Sequence, residues 1–207
     1  MCKEDFFIQN KKTFILVEGA LMIALATALS YVRVFQLPVG GSITLFSMVP
    51  IVIFSIRHGV KSGLLVSFTY SLLQFMQGVI DGLFGWGLTP GMLIACILMD
   101  YILAFTVLGL AGMFRKGIKG NEVLGWITGI AIAVTLRFLC HYLSGVIIWK
   151  SVGELWEGFT TDNPLLYSLI YNGAYMLPEM ILTMIGAALI IKAPALLPFL
   201  KNRDSKN

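Results

Sequence analysis

Five ionisable side chains lie inside stretches of the sequence that are otherwise apolar: Glu18, Asp100, Arg137, His141 and Glu179. Removing a charged group from water is costly, so such residues commonly face a cavity, a ligand or a charged partner. A carboxylate in this setting, such as Asp100, is typical of a site for a cationic or amine-bearing ligand. The alternative for Asp100 is a structural ion pair with Arg137 that holds two helices together.

Arg137 and His141 are four residues apart, so they share one face of a helix. Trp149 follows eight residues after His141, on nearly the same face and two turns further along. A cation over an indole ring gains about 0.5 to 2 kcal/mol, so this face could hold a planar cation. The alternative for His141 is a packing role, because a lone histidine on an apolar helix is often a packing residue rather than a ligand-binding one. The interfacial belt of membrane proteins is the alternative interpretation for the aromatic residues Trp86, Trp149, Trp156 and Tyr167.

Several kinds of chemistry have no motif in this sequence. It contains no glycine-rich phosphate loop, no HExxH, no GxSxG and no CxxC. We therefore predict no nucleotide hydrolysis, no metal site, no cofactor and no catalytic residue, so the chain is not expected to be an enzyme. Cys2, Cys96 and Cys140 show neither pairing nor metal-ligand spacing, and we assign them no chemistry.

The composition indicates that lipid surrounds these residues. Charged residues make up 13% of the chain and hydrophobic residues 57%, with a mean hydropathy of +0.85, whereas about a quarter of a soluble domain is charged. The 207 residues predict one membrane domain spanning 1–207. Its apolar runs, of the length expected for membrane helices, fall at about 13–34, 43–56, 62–80, 88–113, 123–149 and 165–191.

The second run is short, and Pro50 could kink it. Pro38, Gly40 and Gly41 break the chain before it, which makes residues 34–43 a candidate lid.

The basic residues lie in short clusters between the apolar runs, so the net charge of +4 reports topology rather than nucleic-acid binding. Of the 15 lysines and arginines, twelve lie on one side, Arg33 and Lys150 lie on the other, and Arg137 lies within a helix. The positive-inside rule then places both termini in the cytoplasm. We therefore predict an all-α integral membrane protein, a bundle of six transmembrane helices.

This orientation predicts a cavity that opens to the outside. Asp100 and His141 each lie about 15 Å below the outer end of their helix, at 1.5 Å per residue. Asn172 lies nearer that end, and Tyr167 and Trp149 lie near the rim. In the first run, Ala20, Ala24 and Ala28 form a ridge of small residues, which serves either packing within the bundle or docking onto another membrane protein.

Several stretches of the chain resemble a known family. MDYILAFTVLGLAGMFR at 99–115, LRFLCHYLSGVIIW at 136–149, YSLIYNG at 167–173, and the alanine ridge with SIRHG at 55–59 occur in the order found there. The family is the thiamine-specific substrate-binding component of energy-coupling factor vitamin transporters. The resemblance implies a six-helix bundle in a bacterial plasma membrane that binds thiamine from outside. Its implied partners are a membrane-embedded coupling subunit and two cytoplasmic ATPases that supply the energy.

The resemblance also implies roles for individual residues. The implied ligand-binding residues are Asp100, Tyr101, His141, Trp149, Tyr167, Asn172 and Tyr70, and the implied docking residues are Ala20 and Ala24. Three positions depart from the family's pattern. Asp100 stands where the family has glutamate, and Tyr70 stands where it has tryptophan. Gly41 aligns near a second tryptophan of the family, and Trp86 is a candidate to supply the missing ring.

Two alternatives follow from the same residues. One is a substrate-binding component for another vitamin or for a thiamine precursor. The other is a self-sufficient secondary transporter in which Asp100, Glu179 and Arg137 relay protons. The sequence shows no inverted repeat and no matched pair of broken helices, which such transporters often have.

Overall fold

The computed structural model describes residues 3–37 and 40–193, with side chains described from Lys12 onward. Cys2 and the basic tail after Pro198 lie outside these residues. The elements are α1 (Lys3–Ser30), β1 (Arg33–Gln36), β2 (Ser42–Thr44), α2 (Val49–His58), α3 (Val60–Ile80), α4 (Pro90–Phe114), α5 (Glu122–Trp149), β3 (Gly153–Trp156), β4 (Phe159–Thr161) and α6 (Pro164–Lys192). The strands pair as two antiparallel hairpins, β1 with β2 and β3 with β4.

The prediction of an all-α membrane bundle is confirmed. In the described part of the chain, five helices are long and apolar enough to cross a membrane, and their apolar spans run from 19 to 29 residues. The sixth helix, α2, has ten residues and is therefore about 15 Å long, half the thickness of the hydrocarbon core. Its residues Val49 to Ile56 are all buried, so the other helices surround α2.

The second helix starts later than predicted. The apolar run at 43–56 becomes helical only at Val49, because residues 42–44 form strand β2 and Phe46 has a φ of 61°. Pro50 does not kink the helix. It lies in the first turn, where its missing N–H leaves no hydrogen bond unmade.

Ser55 of α2 fixes the packing of α2 against α4. Its hydroxyl donates to the Gly109 carbonyl over 2.5 Å and accepts from the Gly112 N–H over 3.0 Å. A Cβ at Gly112 would lie 2.2 Å from the Ser55 carbonyl oxygen, so this close approach requires glycine.

The contacts define two ends of the bundle. At one end, the Arg57 guanidinium at the end of α2 donates to Glu18 over 2.6 Å, and Arg115 after α4 donates to the Arg57 carbonyl. At the other end, Ser30 of α1 donates to Gln77 of α3 over 3.0 Å. We call the first the basic end, because the clustered bases at 57–61 and 115–119 lie there. The positive-inside rule predicts that it faces the cytoplasm.

Two helices depart from α geometry near the opposite end. The Ile97–Leu103 segment of α4 and the Gly145–Trp149 segment of α5 are π-helical. Such wide turns change which residues face the same direction and occur frequently at functional sites. Asp100 and Tyr101 lie in the first wide turn, and Trp149 ends the second.

Candidate ligand-binding site

A cavity of about 400 Å³ lies at the end of the bundle opposite the basic end. Its volume falls within the range of roughly 300 to 1,000 Å³ that is typical of small-molecule sites. All the long helices and both strands of the first hairpin contribute to its wall. Of the predicted ligand-binding residues, six line it: Asp100, Tyr101, His141, Trp149, Tyr167 and Asn172.

The Asp100 carboxylate is held by side chains of α4 and α5. Its Oδ1 lies 3.0 Å from His141 Nδ1, and its Oδ2 accepts from Ser144 Oγ over 2.5 Å. Cys96 Sγ and Trp149 Nε1 also donate to Oδ2, over 3.3 and 3.4 Å. Asp100 is therefore fixed in position by four neighbours. Cys96, to which we assigned no chemistry, is one of them.

His141 rather than Arg137 contacts the Asp100 carboxylate. His141 Nδ1 lies 3.0 Å from Asp100 Oδ1, and no salt bridge between described residues involves Arg137. The ion pair between Asp100 and Arg137 that was the alternative interpretation is therefore wrong. The His141 ring lies between the rings of Phe105 and Tyr175, with centroid distances of 6.5 and 6.1 Å, and this fixes its plane.

Aromatic rings form much of the cavity wall. Tyr167 and Tyr171 stack at a centroid distance of 6.2 Å, and Tyr175 meets Tyr171 edge-on at 6.0 Å. On the other side, Trp86 and Trp149 lie 5.6 Å apart. Sequence reasoning missed Tyr171 and Tyr175, although the spacing of 167, 171 and 175 places all three rings on one face of α6.

Asn172 connects α6 to the structure around it. Its Nδ2 donates to the Ser168 carbonyl over 2.9 Å, and its Oδ1 accepts from the Tyr175 hydroxyl over 2.8 Å. The amide also reaches the His141 carbonyl on α5 over 3.4 Å. A carbonyl oxygen has two lone pairs, so Oδ1 retains one for a ligand donor.

Tyr70 does not line the cavity. Its side chain is fully buried, and its ring packs edge-on against Phe105 at a centroid distance of 5.6 Å. Phe105 itself lines the cavity, so Tyr70 lies behind the wall. The prediction that Tyr70 contacts the ligand is therefore wrong. Tyr70 lies in the middle of α3, where its ring packs against α4 rather than facing the cavity.

The β1–β2 hairpin covers one side of the cavity, within the segment 34–43 that was predicted as a lid. The Gly41 N–H donates to the Tyr171 hydroxyl over 3.1 Å, and a Cβ at Gly40 would lie 3.4 Å from the Trp86 ring. At the base of the hairpin, Arg33 forms an ion pair with Asp81 at the end of α3. Pro38 and Val39 lie outside the described residues.

The deep end of the cavity contains two buried charges, Arg137 and Glu179. Arg137 Nη1 donates to Met48 Sδ over 2.8 Å, and the guanidinium lies 4.2 Å above the centre of the Phe105 ring. Glu179 Oε1 accepts from both the backbone N–H and the hydroxyl of Thr44. Strand β2 therefore connects the hairpin to this deep end.

The lining of the cavity contains more carboxyl groups than guanidiniums. Three carboxylates line the cavity, from Asp81, Asp100 and Glu179, against the guanidiniums of Arg33 and Arg137. With His141 neutral, the formal charge of the lining is minus one. A site of this charge with aromatic walls favours a flat monocation. In the part of the chain that the structure describes, no group of three or more His, Cys, Asp or Glu side chains could hold a metal ion.

The alanine ridge lies outside the cavity. Ala20, Ala24 and Ala28 are exposed on the outer face of α1, whereas Ala26 is buried in the core. Glu18, one turn toward the basic end, faces inward and accepts from Arg57 over 2.6 Å and from His58 over 3.1 Å. In the described structure, the ridge therefore does not pack against other helices of the bundle, which was the alternative role considered for it.

Comparison with known proteins agrees with this geometry. A family model described as "Thiamine transporter protein (Thia_YuaJ)" matches residues 16–197. The chain is 31% identical to the thiamine transporter ThiT of Bacillus subtilis, over 91% of this chain and 96% of that protein. It is 27% identical to the ThiT of Lacticaseibacillus paracasei, over 88% and 89% of the two chains. The solved structure of ThiT from Listeria monocytogenes superposes with a TM-score of 0.71 at 26% identity, covering 90% of this chain and 98% of that one.

Proposed function

Because the chain belongs to the thiamine transporter protein family, we propose that its cavity binds thiamine and that the protein is the thiamine-binding component of a vitamin uptake system. The chain is a multi-pass protein of the bacterial plasma membrane. The positive-inside rule places the basic end of the bundle in the cytoplasm. The cavity lies at the other end and therefore opens to the outside, where the vitamin is captured.

One observation carries the proposal: a fixed carboxylate, Asp100, lines an aromatic cavity that has more carboxyl groups than guanidiniums. Thiamine joins a permanently cationic thiazolium ring to an aminopyrimidine ring rich in hydrogen-bond donors and acceptors. The carboxylate supplies the counter-charge, and the rings supply flat surfaces at low cost in conformational entropy. Because Asp100 already has four donors to hold it, little ordering is needed on binding.

The remaining lining residues complete this arrangement. Trp149 and His141 provide planar surfaces for the rings, and Trp86 beside Trp149 provides the indole that the family has elsewhere. Tyr101 and Tyr167 offer hydroxyls at the cavity wall. Asn172 Oδ1 accepts from a donor of the ligand with its second lone pair.

We further propose that uptake requires partners: a membrane-embedded coupling subunit and two cytoplasmic ATPases. The proposal rests on the family resemblance and on the lack of any phosphate-binding loop in this sequence. The exposed ridge at Ala20 and Ala24 is the docking surface for the coupling subunit, because small side chains permit close helix approach. The β1–β2 hairpin closes over bound ligand, and docking opens it.

Calorimetry of the purified chain tests the ligand. We expect thiamine to bind at submicromolar concentration, and hydroxymethylpyrimidine and riboflavin to bind far more weakly or not at all. Binding of riboflavin without binding of thiamine at micromolar concentration would refute the proposal. A second measurement tests the need for partners: proteoliposomes that contain this chain alone should not accumulate thiamine under a proton gradient. Accumulation there would instead establish a self-sufficient proton-coupled transporter.

A further inference from the structure

The proposed contacts with thiamine do not use the deep end of the cavity. Arg137 and Glu179 line it, with only 8% and 2% of their surfaces exposed. Arg137 precedes Trp149 by twelve residues on α5, and Glu179 follows Tyr167 by twelve residues on α6, so each lies about 18 Å below the rim. These two charges therefore lie well below the aromatic rings at the cavity's mouth.

Both side chains have hydrogen-bonding capacity that the protein does not use. Arg137 Nη1 has only a thioether, which is a weak acceptor, and Nη2 has no acceptor among the described residues. The hydrogen bonds to Glu179 both reach Oε1, and Oε2 accepts none from the residues described. No salt bridge within 4.0 Å joins Arg137 to Glu179 in that part of the chain.

This combination restricts the ligand group that fits between the two side chains. A buried donor and a buried acceptor without partners are both costly, so the favoured group is one that accepts from Arg137 and donates to Glu179. A phosphate brings negative charge against Glu179, and a cationic group brings positive charge against Arg137. An uncharged group that both donates and accepts satisfies both side chains.

We propose that Arg137 and Glu179 form a second recognition site in the cavity, specific for an uncharged donor-acceptor group of the ligand. This inference rests on the proposed function, and it assigns selectivity to residues beyond the Asp100 region. Thiamine contains two groups of this chemistry, the terminal alcohol of its hydroxyethyl chain and the amino-pyrimidine edge. One of them lies between Arg137 and Glu179 when the thiazolium is near Asp100.

Two analogues of thiamine separate these groups. In one, an ethyl chain replaces the hydroxyethyl chain, and in the other a hydrogen atom replaces the pyrimidine amino group, which leaves that edge without a donor. The affinities of the wild-type protein and of Glu179→Gln are measured by calorimetry with thiamine and with both analogues. We expect Glu179→Gln to weaken thiamine binding about tenfold. One analogue lacks the group that is bound at this site. For that analogue, we expect Glu179→Gln to change the affinity by less than about threefold.

Equal losses for all three ligands, or no loss for any, would overturn the inference. A wild-type protein that binds no thiamine would refute the proposed function instead, so the two failures are distinguishable. Arg137→Lys keeps the charge but removes the planar guanidinium with its fixed donors, and it should show the same pattern. Thr183→Val is the matched control, because Thr183 is buried one turn further along α6 and donates to the Glu179 carbonyl without lining the cavity.

The wild-type protein provides a measurement that needs no substitution. If the site works as proposed, the analogue that lacks the bound group binds at least about tenfold more weakly than thiamine. If the wild-type protein binds both analogues as tightly as thiamine, the inference is refuted. This result does not depend on whether any variant folds.

Discussion

The substitution Asp100→Asn tests the centre of the proposed site most directly. It removes the negative charge and keeps the size of the side chain. In the wild-type protein, Oδ2 accepts from Ser144 Oγ over 2.5 Å and Oδ1 lies 3.0 Å from His141 Nδ1. An asparagine amide presents N–H groups on one side, so one of these neighbours loses its acceptor. The substitution therefore affects both the counter-charge and its positioning.

The expected magnitude follows from the separation of the charges. A cationic ring centred about 4 to 6 Å from the carboxylate gains roughly 3 to 4 kcal/mol at an effective dielectric constant of 20. Desolvation of both charges offsets part of this gain. We therefore expect Asp100→Asn to weaken thiamine binding by at least about 1.4 kcal/mol, which is a tenfold increase in Kd.

Calorimetry or quenching of tryptophan fluorescence measures this Kd, since Trp86 and Trp149 lie in the cavity wall. Hydroxymethylpyrimidine, which lacks the cationic ring, should lose much less affinity than thiamine. Glu154→Gln is the control for net charge, because Glu154 is exposed on the other hairpin. An unchanged affinity for thiamine, or an equal loss for the neutral ligand, would show that Asp100 does not act as a counter-charge.

Three other predictions follow from the lid, the ridge and the basic end. Gly41→Val should speed thiamine release about tenfold in stopped-flow fluorescence, because a Cβ there would lie 2.7 Å from the Tyr175 ring and push the hairpin off the cavity. Ala20→Trp should leave thiamine affinity unchanged and abolish uptake by the assembled complex. Glu18→Gln should lower the midpoint of thermal unfolding, at a cost of about 1 to 3 kcal/mol, because Arg57 loses its carboxylate partner, while thiamine affinity stays within about threefold.

The lid and ridge substitutions each have a matched control. Gly85→Val adds the same atoms near the cavity's mouth, where no atom lies within 4 Å of the new Cβ, and should not change the release rate. Leu65→Trp adds an indole to an exposed position of α3 and should not change uptake. Equal rates for the two glycine variants would remove the evidence for a lid, and retained uptake in Ala20→Trp would exclude the ridge as the docking surface. An unaltered unfolding midpoint in Glu18→Gln would mean that the Glu18 contacts do not stabilise the bundle.

Most of the architecture could be predicted from hydropathy, because long apolar runs in a bilayer have few alternatives to the helix. The third to sixth runs differ from the observed helices by only a few residues at each end. The second run was harder, because its hydrophobicity reflects burial at the centre of the bundle rather than contact with lipid. The positive φ of Phe46 and the pairing of β2 are tertiary features without a periodic signal.

The candidate site could be predicted only in part. Intramembrane charge and helical spacing brought Asp100 and His141 together correctly, but they could not tell whether Arg137 or His141 is the partner of the carboxylate. The wide turn at Ile97–Leu103 changes the direction in which Asp100 points, and the propensities of its residues do not reveal such a turn. Tyr70 illustrates the opposite case, in which a residue aligned with a family position lies behind the wall.

Helix α1 leads directly into the β1–β2 hairpin, with only two residues between Ser30 and Arg33. The surface proposed to meet the coupling subunit and the lid over the ligand are therefore parts of one continuous segment. Thermodynamic linkage then requires reciprocity: a partner that prefers the open hairpin lowers the affinity for the vitamin by the same factor by which the vitamin lowers the affinity for the partner. The partner-bound protein therefore binds the vitamin more weakly, and the loaded protein binds the partner more weakly. In the proposed complex, ATP hydrolysis would supply this difference in free energy.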